Sequence, residues 1–434
     1  MAATEAEAAE GAGDRRALAA WCLFDWANSA FPTIVTTFLF SAYFTGYVAE
    51  THAAGQSMWS LANGLAAIVV ALASPVLGAI ADQGGRRKPW LFALSLLSVV
   101  ATAALWFVRP DPGMVVYALL VVAIATIGFE LGFTFYNAML PDLVPRDYLG
   151  RLSGWGWGIG YAGGLACLAI SLVVFVQPDE PPFGLDRAAA EHVRIVMPFA
   201  AAWFALFALP LFLWVPDRPA THRRLGAIVR GGLADLIETL RQVRRYRLIV
   251  RFLLAKMIYM DGLNTLFVVG GTFAAGVIGL SVPEVLVFGI LLNVAAGAGA
   301  FGFAWVDDRL GAKPTILIAL GALTLLGTIV LFIDDKVWFY AIAIAIGVFL
   351  GPAQAASRSF MARLAPPAQR TEFFGLYNLA GKVTTPVGPL LVGAVTWLFD
   401  NQRAGMATII PFLFIGALLL LAVKEPGRNA GDGN

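Results

Sequence analysis

The stretch "FDWANSAF", Phe24 to Phe31, places side chains that could do chemistry inside a largely apolar run from Ala17 to Val48. Asp25, Asn28 and Ser29 stand at i, i+3 and i+4, so on a helix they share one face. A carboxylate on that face can hold a proton or pair with a cation, and the amide can hydrogen-bond an amino or carboxylate group. A polar face of this kind is unusual in so apolar a segment, which indicates a function for it.

The same motif returns later in the chain. "DGLNTLF" from Asp261 repeats the Asp, the Asn, a small hydroxyl residue and the Phe of "DWANSAF" at the same spacing. Further pairs follow in the same order through both halves, and they are Asn63 and Asn293, Leu143 and Leu364, Pro145 and Pro366, Gly154 and Gly375, and Gly160 and Gly381. The order indicates an internal duplication. A carboxylate at corresponding positions of two halves is expected at their central interface rather than against lipid.

The composition identifies the class of protein that holds these motifs. Of the 434 residues, 59% are hydrophobic and only 13% are charged, which is typical of an integral membrane protein. The net charge of +2 gives no argument for a nucleic-acid partner. The three histidines lie in connecting segments and the two cysteines in separate apolar runs, so we predict no metal site and no cofactor.

Apolar runs of the length needed to cross a bilayer can be placed twelve times. Since lipid cannot satisfy backbone polar groups, these runs must be helices, and the fold class predicted is all-α. We expect a six-helix bundle over residues 1–215, a cytoplasmic linker with an amphipathic helix over 216–247, and a second six-helix bundle over 248–434. An even number of helices in each half makes the two bundles parallel repeats, with the binding site between them.

The distribution of positive charge predicts the orientation. Most of the 30 lysines and arginines fall in alternate loops, which places those loops and both termini in the cytoplasm. The linker contains "LADLIETLRQVRRYR", which sets five apolar residues on one stripe, namely Leu233, Leu236, Ile237, Leu240 and Val243. This pattern favours a helix on the membrane surface, although a partner-binding helix would show the same pattern.

Ionisable residues at membrane depth are functional candidates because their burial is costly, and those that qualify are Asp25, Glu130, Asp261, Lys256, Arg358 and Lys382. We predict that Asp25, Glu130 and Asp261 include acids that carry protons, since burial disfavours the charged form and a nearby cation or water restores it. Arg358 and Lys382 are predicted to be their counter-charges or a clamp for a substrate carboxylate. The alternative for each residue is a static ion-pair network at the cytoplasmic gate.

Other polar residues are weaker candidates for substrate contacts. The amides of Asn28, Asn264 and Gln354 can bind a polar solute, but membrane amides more often join helices. Three tyrosines are candidate cavity residues, although aromatic side chains in such helices more often pack, and they are Tyr136, Tyr161 and Tyr377.

The loop "GAIADQGGRRKP" has the pattern G-x-x-x-D-x-x-G-R-R-K, formed by Gly78, Asp82, Gly85, Arg86, Arg87 and Lys88. It resembles the signature loop of the major facilitator superfamily. A degenerate second copy contains Asp308, Arg309, Gly311 and Lys313. The resemblance implies that Asp82 caps or pairs with neighbouring helix ends and holds the halves together in one state. A plain positive-inside loop would explain the arginines but not the glycine and aspartate spacing.

Five segments resemble a narrower family, and they are "FDWANSAF", "FYNAMLP", "SGWGWGIGYAGG", "GPAQAASRSFMARLAP" and "EFFGLYNLAGK". Together they resemble the vacuolar-effluxer-like family, whose fungal members are autophagy-related amino-acid exporters. The resemblance covers the whole chain and implies an efflux transporter with amino acids as its substrate class. Tyr161 stands where the superfamily's antiporter signature has proline, which weakens the inference of antiport.

The sequence therefore predicts a secondary transporter that moves a small polar solute by alternating access with proton coupling. If the source is bacterial, it resides in the cytoplasmic membrane. One alternative is a proton-coupled exporter of drugs or metabolites, and another is a membrane receptor built on a transporter fold. An enzyme is not expected, because the sequence contains no H-E-x-x-H zinc motif and no G-x-S-x-G elbow.

Overall fold

The computed structural model describes residues 14–424 with the exception of Val243. This part of the chain is helical and contains no β-strand, which confirms the predicted all-α class. The α-helices, numbered α1 to α17 in chain order, are Arg15–Asn28, Phe40–Tyr43, His52–Gly84, Lys88–Ala104, Val115–Leu143, Leu149–Ser171, Glu191–Arg194, Val196–Trp214, Leu225–Arg241, Arg247–Gly276, Val282–Leu310, Ala312–Val330, Lys336–Leu364, Arg370–Lys382, Val387–Phe399, Gln402–Ala407 and Ile409–Leu421.

Eleven helical stretches within residues 14–424 are long and apolar enough to cross a membrane. The protein is a multi-pass integral membrane protein, as predicted. The first of the twelve predicted spans is absent from these eleven because its helix is interrupted. The predicted cytoplasmic location of both termini stays a prediction, and the two ends of the chain lie outside the described residues.

The interruption of the first span follows from its sequence. Helix α1 ends at Asn28, and a π-helical segment occupies Pro32–Phe38. Proline has no N–H to continue the helical ladder, and the hydroxyl of Thr33 donates to the carbonyl of Ser29 over 2.8 Å. The first copy of the duplicated motif therefore runs directly into an irregular turn, a feature that is frequent at functional sites.

Packing divides the chain into two compact units. The first contains the residues up to Ala73, Gly84–Asn137 and Ile159–His222, and the second contains Ser74–Gln83, Ala138–Gly158 and the residues from Arg223 onward. The second unit thus includes the ends of three helices, α3, α5 and α6, that precede the linker. The division into one six-helix bundle over 1–215 and another over 248–434 stays a prediction.

Aromatic and aliphatic side chains form the core of the first unit. Phe40 and Phe44 pack with Trp59 of α3, and this cluster continues to Leu105 and Met197. Aromatic and aliphatic side chains packed in this way contribute dispersion and ring–ring contacts to the unit.

Small residues bring helices of the second unit into close contact. A Cβ atom added at Gly299 of α11 would lie 1.9 Å from the carbonyl oxygen of Val348 in α13. One added at Gly351 of α13 would lie 2.0 Å from the carbonyl oxygen of Ala296. Close backbone contact of this kind is the usual packing mode between membrane helices, which have no hydrophobic driving force toward each other.

The predicted amphipathic helix of the linker is α9. It packs on the end of α3, where a Cβ added at Gly232 would lie 2.7 Å from the backbone of Ile80. Leu236 of the predicted stripe is buried, whereas Ile237 and Leu240 are at least half exposed. Val243 of that stripe lies outside the described residues.

Candidate functional site

The eleventh predicted span is broken in its middle. Helix α14 ends at Lys382, a turn covers residues 383–386, and α15 begins at Val387. Two hydroxyls satisfy carbonyls near the break: Thr384 donates to Met257 and Thr385 donates to Gly381, over 3.1 Å each. Non-helical backbone at membrane depth is tolerated only inside protein or along a water-filled cavity, and broken helices often form transporter binding sites.

A buried lysine lies against the first half of the broken helix. Lys256 of α10 is 3% exposed, its Nζ donates to the carbonyl of Tyr377 over 2.9 Å, and the same nitrogen lies 3.7 Å from the centre of the Tyr377 ring. A Cβ added at Gly381 would lie 2.7 Å from that nitrogen. The carboxyl end of a helix carries partial negative charge, so the cation and the helix end stabilise each other.

A buried carboxylate lies against the second half. Asp261 and Thr265 of α10 are 1% and 0% exposed. Within the described residues, the two carboxylate oxygens of Asp261 have no hydrogen-bond partner. The same holds for the hydroxyl of Thr265. A Cβ added at Gly388, in the first turn of α15, would lie 1.9 Å from Thr265 Oγ1 and 3.1 Å from Asp261 Oδ1. Only glycine fits there, and the carboxylate faces the positive end of a helix.

Asp25, the counterpart of Asp261, has a different environment. It is 4% exposed, and its carboxylate accepts a hydrogen bond from the hydroxyl of Tyr136 over 2.8 Å. The Tyr136 ring stacks on Trp21 with 4.4 Å between ring centres, and its hydroxyl also contacts the carbonyl of Trp21. The stack fixes the donor and therefore the carboxylate.

The repeat explains why the two carboxylates differ. The offset that relates the fourth and tenth predicted spans pairs Tyr136 with Ser357. The Ser357 hydroxyl lies 2.6 Å from the hydroxyl of Tyr259 and contacts no oxygen of Asp261 within hydrogen-bond geometry. A short side chain with another partner thus replaces the tyrosine that donates to Asp25, and the Tyr136 donor has no counterpart at Asp261 among the described residues.

Arg358, predicted as a counter-charge or a substrate clamp, is bound to α6. It is 1% exposed, its Nε donates to the Ser153 hydroxyl over 3.0 Å, and its Nη2 donates to the Ser153 carbonyl over 2.7 Å. The guanidinium carbon lies 5.6 Å from the centre of the Trp157 ring. These contacts favour the alternative of a static interhelical network for this residue.

The aspartates of the two signature loops cap helices. Asp82 accepts from the hydroxyl of Thr371 over 2.7 Å and from the backbone N–H of Glu372 over 2.9 Å, in the first turn of α14. Asp308 accepts from the N–H of Gly150 over 2.9 Å and from Arg151 in the first turn of α6. Both copies of the loop therefore place a carboxylate at a helix amino end, where negative charge is stabilising.

Two glycines of these loops are required by the backbone. Gly85 has φ +83° and Gly311 has φ +99°, conformations that side chains with a Cβ rarely adopt. A Cβ added at Gly78 would lie 2.4 Å from the carbonyl oxygen of Thr371, so this glycine lets α3 approach α14. The arginines predicted for the same loops divide between surface and interior, with Arg86 and Arg309 exposed and Arg87 buried.

For the other predicted residues the structure gives mainly the degree of burial. Asn28 is 3% exposed, and its amide nitrogen has no hydrogen-bond partner within residues 14–424. Tyr377 contacts Lys256, as described above. The remaining predicted residues are partly buried, and they are Glu130, Tyr161, Asn264, Gln354 and Lys382.

Sequence reasoning missed three residues that the structure brings to this site. Thr265 belonged to the duplicated motif but was not proposed as a site residue, and Ser357 and Gly388 were not proposed at all. The signal for Gly388 was the sequence "TTPVG" inside an apolar span, because proline and β-branched residues disfavour a continuous helix. No pattern in the sequence indicated the bond between Ser357 and Tyr259.

Solved structures with the same fold are transporters. The chain superposes on the major facilitator superfamily proton:xylose symporter XylE with a TM-score of 0.73, 14% identity, and coverage of 94% of this chain and 96% of the other. For the transporter FucP in its outward conformation the TM-score is also 0.73, with 13% identity and coverage of 94% and 99%. At these identities the likeness shows the fold alone, which is that of the major facilitator superfamily.

The family model described as "Vacuole effluxer Atg22 like" matches residues 41–150 and 146–430. The chain belongs to the Atg22-like family. This confirms the resemblance inferred from the five segments. By family and fold, this Atg22-like protein is a membrane transporter and not an enzyme.

Two relatives show the range of the Atg22-like family. The uncharacterized MFS-type transporter YxiO of Bacillus subtilis is 28% identical over 408 residues, which cover 93% of this chain and 94% of YxiO. Autophagy-related protein 22-1 of Penicillium rubens is 25% identical over 63% of this chain and 49% of its own length. The aligned part of this Atg22-like protein thus spans about half of the fungal relative.

Proposed function

We propose that this Atg22-like protein exports small polar solutes, with amino acids as the substrate class, by proton-coupled alternating access. In this proposal Asp261 carries the proton. The observation behind it is a carboxylate that is 1% exposed and has no hydrogen-bond partner for either oxygen within the described residues.

The energetics of burial support a proton at Asp261. An ionised carboxylate without a partner costs several kcal/mol inside a protein even after relaxation. In this proposal protonation removes most of that cost. When the halves rearrange and water reaches the carboxyl group, the proton can leave, which is the cycle that coupling requires. Asp25 is less suited to this cycle because Tyr136 stabilises its charged form.

The broken helix supports an amino acid as the solute. The carboxyl end of α14 carries partial negative charge and the amino end of α15 carries partial positive charge, with only residues 383–386 between them. An amino acid has an ammonium group and a carboxylate group a few ångströms apart, and in this proposal it takes over the interactions that Lys256 and Asp261 make with the two helix ends. The family's description as a vacuole effluxer supports export as the direction.

The capped helices support alternating access. Asp82 and Asp308 hold the amino ends of α14 and α6 by hydrogen bonds that can break and re-form without unfolding a helix. Arg358 adds hydrogen bonds between α13 and α6. In this proposal these contacts close the predicted cytoplasmic side in one state and release it in the other.

Transport measurements on purified protein in liposomes test the proposal. Pooled labelled amino acids are loaded, a pH gradient is imposed, and efflux is compared with exchange at equal pH. The wild type should show gradient-driven efflux. Asp261→Asn should lose the response to the gradient but keep amino-acid exchange, because an amide cannot release a proton yet fits the same space.

Two matched variants complete the experiment. Asp179→Asn removes an exposed loop carboxylate and should behave as the wild type. Asp25→Asn should keep a response to the gradient, at lower protein stability. If Asp261→Asn still responds to the gradient, another acid carries the proton and Glu130 is the next to test. If folded wild-type protein moves no amino acid, the substrate class is wrong.

A further inference from the structure

A cavity of about 490 Å³ lies in the first unit, where two membrane-spanning helices end. Helix α4 begins beside it at Lys88, and α8 ends beside it at Trp214. The transport mechanism proposed above uses none of its walls. The residues that matter for its chemistry are Arg86, Lys88, Arg218, Asp217, Phe92 and Phe212.

One wall of this cavity is positively charged. Asp217 is the acid among the lining residues, and its carboxylate already accepts from the backbone N–H groups of Arg87 over 3.0 Å and Lys88 over 3.2 Å. Three basic side chains, Arg86, Lys88 and Arg218, line the cavity together with this single acid. The net charge of the wall therefore attracts an anion.

The other part of the lining, here called the apolar wall, consists of aromatic side chains, and exposed apolar side chains lie next to it. Phe92 is 50% exposed on α4, and its ring meets that of Phe212 edge to face with 5.4 Å between centres. Leu213 and Trp214 at the end of α8 are also more than half exposed. Apolar side chains exposed at the end of a membrane-spanning helix are in position to contact acyl chains, and tryptophan is enriched at the level of lipid headgroups.

We propose that this cavity binds the phosphate group of an anionic phospholipid, with the acyl chains along Phe92. A phosphate carries the charge that the basic wall attracts, and arginine binds its oxygens through two parallel hydrogen bonds. Basic pockets between membrane helices are the sites at which anionic headgroups are recognised. A free phosphorylated solute shares the phosphate but would leave the apolar wall unused.

The other half of the protein supplies a structural contrast. Lys88 Nζ donates to the carbonyl of Phe212 over 3.0 Å, and its counterpart Lys313 donates to the carbonyls of Leu421 and Val423. Both lysines thus join the start of one helix to the end of another. In the second loop Ala312 directly precedes the lysine, where the first loop has arginines. Arg86 is therefore additional to this shared structural contact.

Native mass spectrometry of the full chain in detergent tests the proposal. Phosphatidylglycerol and phosphatidylcholine are titrated separately, and the wild type should retain phosphatidylglycerol preferentially. The double variant Arg86→Gln and Arg218→Gln should bind it roughly 25-fold more weakly, since each basic residue near an anionic lipid contributes about fivefold. The single variant Arg309→Gln, on the other signature loop, should bind as the wild type.

The remaining arms identify the source of the phosphate and exclude misfolding. Glycerol phosphate added at millimolar concentration should not displace the lipid; displacement would show that the site takes a free phosphorylated solute and would overturn the proposal. Equal retention of the two lipids by the wild type, or equal affinity in the double variant, would also overturn it. If the double variant does not fold, Arg86→Gln alone, at an exposed position, decides the matter with an expected fivefold loss.

Discussion

The hydroxyl of Tyr136 donates a hydrogen bond of 2.8 Å to the carboxylate of Asp25. In the other half of the duplicated sequence, Ser357 stands at the position of this tyrosine, and its hydroxyl is taken by Tyr259. Two copies of one motif thus hold one carboxylate with a fixed donor and one without. This difference separates a structural acid from the proposed proton carrier Asp261.

Removal of the donor to Asp25 should destabilise the protein. Tyr136→Phe keeps the stacked ring but loses a buried hydrogen bond to the Asp25 carboxyl group, which contributes about 1.5–3 kcal/mol when that group is ionised. The measurement is the free energy of unfolding in detergent. Tyr117→Phe is the matched control, because its hydroxyl donates to the neutral carbonyl of Ala104 over 3.0 Å and its loss should cost only about 0.5–1.5 kcal/mol. Equal losses would argue against a charged Asp25.

Neutralisation of the two motif acids should affect stability differently. Asp261→Asn should change the free energy of unfolding by less than about 1 kcal/mol, because the wild-type carboxyl group has no bond to lose within the described residues. Asp25→Asn should destabilise by more, because it weakens the bond from Tyr136. Thermal unfolding of both variants at neutral pH provides the comparison. A large loss in Asp261→Asn alone would mean that this carboxylate is ionised and paired.

The second half of the broken helix should not tolerate a methyl group at Gly388. In Gly388→Ala the added Cβ would overlap Thr265 Oγ1, and overpacking of this kind costs about 1–3 kcal/mol. We expect lower stability and loss of amino-acid exchange. Thr265→Ala should restore much of the stability in the double variant.

Gly393→Ala on the same helix is the control for Gly388→Ala, since no atom lies within 4 Å of its added Cβ. Alanine favours a helix over glycine by about 1 kcal/mol, so this variant should be neutral or slightly stabilised. If both alanine variants transport normally, Gly388 is not tightly packed against Thr265.

Asp82→Asn should loosen the amino end of α14. The carboxylate accepts from the first turn of that helix, and loss of a cap costs about 0.5–2 kcal/mol. Hydrogen exchange followed by mass spectrometry should show faster exchange in the first turn of α14. Asp335→Asn removes a comparable cap from α13, where Asp335 accepts from Val337 and Trp338, and should leave α14 unchanged. If the first turn of α14 exchanges at the same rate in both variants, Asp82 does not cap that helix.

Much of the fold was predictable because membrane-spanning helices appear in the sequence as apolar runs of about twenty residues. Eleven of the twelve predicted spans correspond to helical stretches long enough to cross a bilayer, although the eleventh span is broken in its middle. The first was placed correctly as a helical segment, but its π-helical turn at Pro32–Phe38 was not predicted. The break after Lys382 was also missed, since mean hydropathy continues across it and only the local "TTP" indicates a turn.

The sequence by itself determined the all-α membrane class and the family and indicated the duplication, because each depends on composition or on residues at fixed spacing. It also identified Asp25 and Asp261 as unusual acids. Only the tertiary structure decided which of them has a donor, since Tyr136 and Ser357 come from helices far along the chain. A period of 3.6 residues gives the face on which a side chain lies, but the partner on that face depends on helix packing.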